Sequence, residues 1–79
     1  MALEGKKLAA GAKAAKKALA AGRAEMIYLA CDASESLVGP LRLSAREKGI
    51  PVVEDSTMRE LGRAAGIAVG AGTVTVLRD

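Results

Sequence analysis

Residues 26–30, Met26-Ile27-Tyr28-Leu29-Ala30, form a short apolar run with no charge inside it. Its length and its β-favouring members read as a central strand buried on both faces. Asp32 and Ser34 follow with turn and N-cap chemistry. A strand followed at once by a capped helix start opens a βα unit, and the chain can be read outward from it.

Upstream, Gly11 opens a helical segment that runs to about Ala21 and stops at Gly22. At about 100° per residue, Ala12, Ala15, Ala18 and Leu19 gather on one side and Lys13, Lys16 and Lys17 on the other. A short helical turn around Leu3 to Leu8 is expected before it. Downstream, the next helix should turn Leu37, Val38, Leu41 and Ala45 inward, and Pro40 requires it either to start late or to kink. Lys48-Gly49-Ile50-Pro51 ends that helix with a cation, a glycine and a proline. Pro51 to Glu54 reads as a shorter strand. Thr57 with Glu60 makes a capping box, and its helix should place Met58, Leu61 and Ala65 inward and Arg59 and Arg63 outward. Gly66 closes it. An apolar loop, Ile67 to Gly72, precedes a last strand, Thr73 to Leu77. Helices alternating with strands predict a compact α/β sandwich with a largely parallel sheet, one domain over residues 1–79.

The charge is uneven. Residues 1–23 hold Lys6, Lys7, Lys13, Lys16, Lys17 and Arg23 against Glu4 alone, whereas the remainder carries a small acidic excess within a net +3. Positive potential gathered at one end suits a polyanionic partner. It also suits a solvated lysine face.

Missing residue types exclude much chemistry. With no histidine and one cysteine, Cys31, zinc sites and Ser-His-Asp or Cys-His catalysis lack their parts. Asp32 with Glu35, and Glu54 with Asp55, read as turn and surface carboxylates. Gly70-Ala71-Gly72 lies before a strand, not between strand and helix, so it is no phosphate cradle. Cys31 reads as a buried or half-buried packing group. No cofactor, metal or enzymatic step is expected. No stretch of about 20 apolar residues spans a bilayer, and residues 1–10 carry charges where a secretory signal needs an apolar core. A cytoplasmic monomer is the expectation. The aromatic content is Tyr28 alone, in a strand expected to be buried, so base stacking as single-strand binders use it is not available. A folded RNA with exposed groove edges fits better than a flexible strand.

Three features remain for a site. The helix start at Gly11-Ala12-Lys13 offers free N–H groups and a partial positive charge. The loop Ile67 to Ala71 places aliphatic residues where a monomer gains nothing by exposing them. Asp32 leaves the carboxyl end of a strand, where α/β sheets tend to hold ligands.

In these segments the chain resembles the kink-turn-binding ribosomal protein family, whose members include the archaeal L-seven-Ae and eukaryotic L-thirty-e proteins, and most of all its short bacterial members. The matching stretches are Gly11 to Leu19, Met26 to Ala33, Glu47 to Val52 and, most specific, Glu60-Leu61-Gly62-Arg63-Ala64-Ala65-Gly66-Ile67-Ala68-Val69-Gly70-Ala71. The resemblance implies a three-layer α/β/α sandwich with a small mixed, mostly parallel sheet. It implies that the start of the lysine helix enters the groove at tandem sheared G·A pairs, and that the apolar loop covers an extruded nucleotide. Carried over, Gly11, Lys13 and Lys17 match the helix contacts, and Ile67, Ala68 and Val69 match the loop; Ala12, Lys16, Asp32, Gly70 and Ala71 complete the expected RNA-binding residues. Lys13 stands where archaeal members carry Asn, and Ala14, which cannot hydrogen-bond a base, where they carry Glu. The partner implied is a structured RNA, ribosomal or riboswitch. The competing expectation is a protein-interaction module on the same fold.

Overall fold

The computed structural model describes residues 7–67 and 70–78. The elements are β1 (Leu8–Ala10), α1 (Ala12–Ala20), β2 (Ala24–Ala30), α2 (Glu35–Glu47), β3 (Val52–Ser56), α3 (Met58–Ala64) and β4 (Thr73–Leu77). The strands form one mixed sheet in the order β1-β4-β2-β3. β2 pairs with β3 in parallel, while β4 pairs antiparallel with both β2 and β1. β1, β2 and β3 thus share a direction and β4 opposes them. The mixed α/β sheet matches the expectation, but the expected predominance of parallel pairing does not hold, because β2–β3 is the single parallel pair.

The return of the chain after α3 (Met58–Ala64) accounts for the reversal. The Ala71 N–H donates to the carbonyl of Met58, the first residue of α3, so the loop comes back to the end of the sheet where β3 finishes. β4 therefore enters near where β3 left, with Thr73 opposite Leu29 at the carboxyl end of β2, and runs backward.

Alternation along β2 divides the core. Ile27 and Leu29 face α1 and α2, joining Ala15, Ala18, Leu19, Val38, Leu41 and Ala45. Met26, Tyr28 and Ala30 face α3, joining Leu61, Val74 and Val76. A bulge between Ala24 and Met26 moves Ala24 onto the α1–α2 side opposite Leu77. Two helices on one face and one on the other make the three-layer sandwich. Tyr28 is half-buried.

Of the helical turn expected around Leu3 to Leu8, residues 3–6 lie outside the described residues, and Leu8 belongs to β1. Its three residues have weak strand propensity, and the backbone pairing Leu8↔Val76, Ala9↔Thr75 and Ala10↔Val74 decides their conformation. α2 starts at Glu35, ahead of Pro40, not after it. The proline withholds a donor from the Ser36 carbonyl, and Ser36 is exposed to water. Arg42 ties α2 to β3: its Nε and Nη2 donate to both oxygens of Glu54 at 2.9 and 2.6 Å, and Nη1 donates to Glu35 at 2.6 Å. That guanidinium holds the Glu54 carboxyl below the usual carboxylate range.

α3 has the capping box expected of it. The Thr57 hydroxyl accepts from the Glu60 N–H, and the Glu60 carboxylate accepts from the Thr57 N–H at 2.8 Å, which keeps Glu60 ionised to lower pH. Asp32 adds a third bond, its carboxylate accepting from the Met58 N–H at 2.8 Å. Met58 itself is 37% exposed and does not point inward as expected. It is the first residue of α3 and lies at the sheet's end, where Leu61, one turn on, takes the core position.

Thr73 and Thr75 are fully buried on β4, and neither side-chain hydroxyl has a partner. An unpartnered buried hydroxyl costs about 1–3 kcal/mol of desolvation. Thr75→Val keeps the shape and removes the polar atom. It should stabilise the domain by about 1 kcal/mol, raising the melting midpoint by about 4–8 °C; a lower midpoint would show that the hydroxyl is bonded in solution. Asp32→Ala should lower stability by about 1 kcal/mol, the usual loss for a helix-start acceptor. Asp32→Asn keeps an acceptor oxygen and should retain most of it, and denaturant midpoints of both variants check the pair.

Candidate nucleic-acid interface

Gly11 caps α1 with φ +98°, a conformation that a side chain would strain. Lacking a side chain, it offers α1 no capping bond, and the first turn holds no acidic residue. The three helix starts therefore differ. α3 spends its first N–H groups on Thr57, Glu60 and Asp32, and α2 carries Glu35 in its first turn. α1 alone combines an uncapped start with neighbouring cations, so its free N–H groups and positive end face outward. Lys13, Lys16 and Lys17 are exposed along it, and Ala12 is half-buried beneath.

The Gly11 N–H donates to the Thr73 carbonyl at 3.0 Å. That bond sets the start of α1 beside the strand entrance that follows the loop. The loop's far side is fixed at the same place. The Ala71 N–H donates to the Met58 carbonyl at 2.9 Å, and the Ala30 N–H donates to the Gly72 carbonyl at 2.9 Å. Gly70 passes so close to Met58 that a Cβ there would sit 3.3 Å from the Met58 Cβ and carbonyl oxygen. Ile67, held by its N–H to the Gly62 carbonyl, is 38% exposed. Ala71 is buried and Gly70 exposed. Ala68 and Val69 lie outside the described residues.

Gly11, Ala12 and Lys13, together with Gly70 and Ala71 at the loop's base, thus meet at one end of the sheet. Asp32 lies there as well, but its carboxylate is bonded to Met58, whose carbonyl in turn holds Ala71. Asp32 therefore braces the loop. Lys16 and Lys17 lie further along α1, on its exposed face. Cys31 corrects its sequence reading: it is exposed, and its backbone N–H donates to the Ser56 carbonyl at 2.8 Å. Sequence reasoning missed Met58 as the bridge between Asp32 and the loop. A residue acting through its backbone leaves no side-chain signal, and only the glycine at position 70 hints at the close approach.

Among the described residues, no group of three or more His, Cys, Asp or Glu is placed to hold a metal ion, and no helix is long and apolar enough to cross a membrane. The arrangement offers oriented N–H groups, mobile cations and an exposed aliphatic edge, which suit an anionic, shaped ligand.

The chain is similar to known proteins. An RNA-binding protein of Caldanaerobacter subterraneus subsp. tengcongensis is 44% identical over 63 residues, covering 80% of this chain and 77% of its own. The RNA-binding protein YbxF of Geobacillus stearothermophilus is 34% identical over 76 residues, covering 96% and 93%. The large ribosomal subunit protein eL8 of Halobacterium salinarum is 41% identical over 68 residues, of which the match covers 85% of this chain but 57% of the ribosomal protein. The 15.5kD RNA binding protein of Giardia lamblia superposes with a TM-score of 0.84 at 30% identity, over 91% of this chain and 61% of that one. The model of the Ribosomal protein L7Ae/L30e/S12e/Gadd45 family matches residues 1–79, and the chain belongs to that family.

Proposed function

We propose that this domain binds structured RNA of the kink-turn type, with tandem sheared G·A pairs and an extruded nucleotide, as a monomer and without a catalytic step. The observation that carries the reading is the junction of two features at one sheet end. The uncapped start of α1 and the base of the 67–72 loop are joined through the Gly11–Thr73 bond. A groove edge presents acceptors and phosphates to the first; an aliphatic loop suits a base that has left its stack. The names of the relatives support RNA as the ligand class.

Each residue has a physical role in this reading. Gly11 and Ala12 let the backbone N–H groups approach the groove, and Lys13, with Lys16 and Lys17 behind it, contacts phosphates. Ile67, Ala68 and Val69 cover the extruded base, while Gly70 and Ala71 set the loop's path. Asp32 serves through Met58. Ribosomal RNA and riboswitches both contain such elements, and a cytoplasmic location goes with either.

Gel-shift titration of a kinked RNA and a straight duplex of equal length should show preference for the kinked form; equal affinity for both would sink the reading. Lys13→Gln should weaken binding and reduce the slope of log affinity against log salt by about 0.7–0.9, the value for one phosphate contact. Ile67→Asp tests the loop separately. Because Ile67 is exposed, the variant should keep its melting midpoint and lose affinity for the kinked RNA by 10-fold or so, roughly the 1.4 kcal/mol of one lost apolar contact and added repulsion. Unchanged affinity would remove Ile67 from the interface.

A further inference from the structure

The far end of α1 carries a second concentration of charge, around three open grooves. One, of about 330 Å3, is rimmed by Lys48 and Arg78. A second, of about 310 Å3 between α1 and α2, is rimmed by Lys16 and Lys48. A third, of about 280 Å3, lies beside edge strand β1 and is rimmed by Lys17 and Arg23. Among the described residues, no carboxylate lines any of them. All five cations are exposed, and none forms an ion pair with another described residue. The Arg78 Nε reaches the Ala24 carbonyl at 3.4 Å, which sets its guanidinium at the groove's rim.

Unpaired like charges gathered in one region repel one another and destabilise the compact state. The carbonyl end of α1 answers part of this, but it amounts to about half a charge and acts only within the last turn. It cannot balance five cations. A polyanion with repeated charges can, and the grooves give its backbone a path across the surface. The nine residues of α1 measure about 13 Å, so Arg23, Lys48 and Arg78, gathered around its last turn, stand about that far from the helix start, while Lys16 and Lys17 lie between the two regions.

We infer that Arg23, Lys48 and Arg78 form a second phosphate-contacting surface, which takes the backbone of the same RNA beyond the element held at the start of α1. This rests on the reading of that first site as an RNA interface.

The test uses the whole chain and two kinked RNAs, one with its stems cut short and one with both stems extended. Wild-type protein should bind the extended RNA more tightly and with a steeper salt slope, by about 0.7–0.9 for each added phosphate contact. Arg23→Gln with Lys48→Gln should lose that increment and bind the short RNA within about twofold of wild type. Arg59→Gln with Arg63→Gln removes the same charge from α3, on the other face of the sheet, and should leave the increment in place. Matching losses in this control would reduce the effect to overall charge and overturn the surface. Equal slopes for both RNAs would overturn it as well, while leaving the first site standing. Binding of anionic phospholipid vesicles, but not of the extended stems, through Arg23 and Lys48 would replace RNA with a lipid partner. Failure of the wild type to bind either RNA would remove both readings together.

Discussion

Strand β4 satisfies both of its hydrogen-bonding edges by entering the sheet between β1 and β2, and the bonds of Ala71 to Met58 and of Ala30 to Gly72 hold its start at the end where β3 finishes. Every part of the candidate interface follows from that entry. The loop that feeds β4 must lie over the carboxyl ends of β2 and β3. β1, held against β4's outer edge, delivers Gly11 to the same place, because β1 ends opposite Val74 and Gly11 bonds Thr73. In a sheet of parallel pairs alone, the start of α1 and the 67–72 loop would have no shared strand to join them.

The three helix starts then divide the electrostatic work. α3 begins beneath the loop and has its N–H groups consumed by Thr57, Glu60 and Asp32, so it cannot compete for an anion. The same bonds stiffen the platform on which Gly70 and Ala71 rest. α1 begins a few residues away with no side-chain acceptor at all. A side-chain cap in place of a glycine is worth a few tenths of a kcal/mol to a helix such as this, and the φ of +98° at Gly11 would strain the residue that supplied it. Leaving it open forgoes that stability and keeps the dipole and donors for a ligand. The exposed lysines make the same exchange, since mutual repulsion in the free protein becomes counterion release in the complex.

Much of this was legible in the residues. The three- and four-residue spacing of Ala12, Ala15, Ala18 and Leu19 placed α1's buried face, Thr57 and Glu60 announced α3, and alternation marked β4. What escaped has physical causes. Leu8–Ala10 is a strand only because β4 lies beside it, and three residues of modest propensity cannot signal partners 64 to 68 residues away in sequence. The direction of β4 depends on where the chain returns after α3, which is fixed by the long-range main-chain bonds of Ala71 to Met58 and of Ala30 to Gly72. Asp32 was legible as a residue near the site, yet its hydrogen bond to Met58, 26 positions on, was not. Cys31 was read as a packing group from its place after an apolar strand. The strand's last inward position is Ala30, and Cys31 already belongs to the exposed turn.

With Tyr28 half-buried in the sheet, the candidate interface offers no aromatic ring for stacking, and what it presents is backbone, cations and small or aliphatic groups. Such a surface discriminates by shape, so it must be held rigidly. The bonds that hold it are main-chain ones: Gly11 to Thr73, Ala30 to Gly72, Cys31 to Ser56 and Ala71 to Met58. Side chains at the rim are therefore free of structural duty. Lys13 and Ala14 can therefore vary without disturbing the frame. A substitution at either position changes what the surface can grip, whereas a change in the glycines or in Asp32 alters where the surface is.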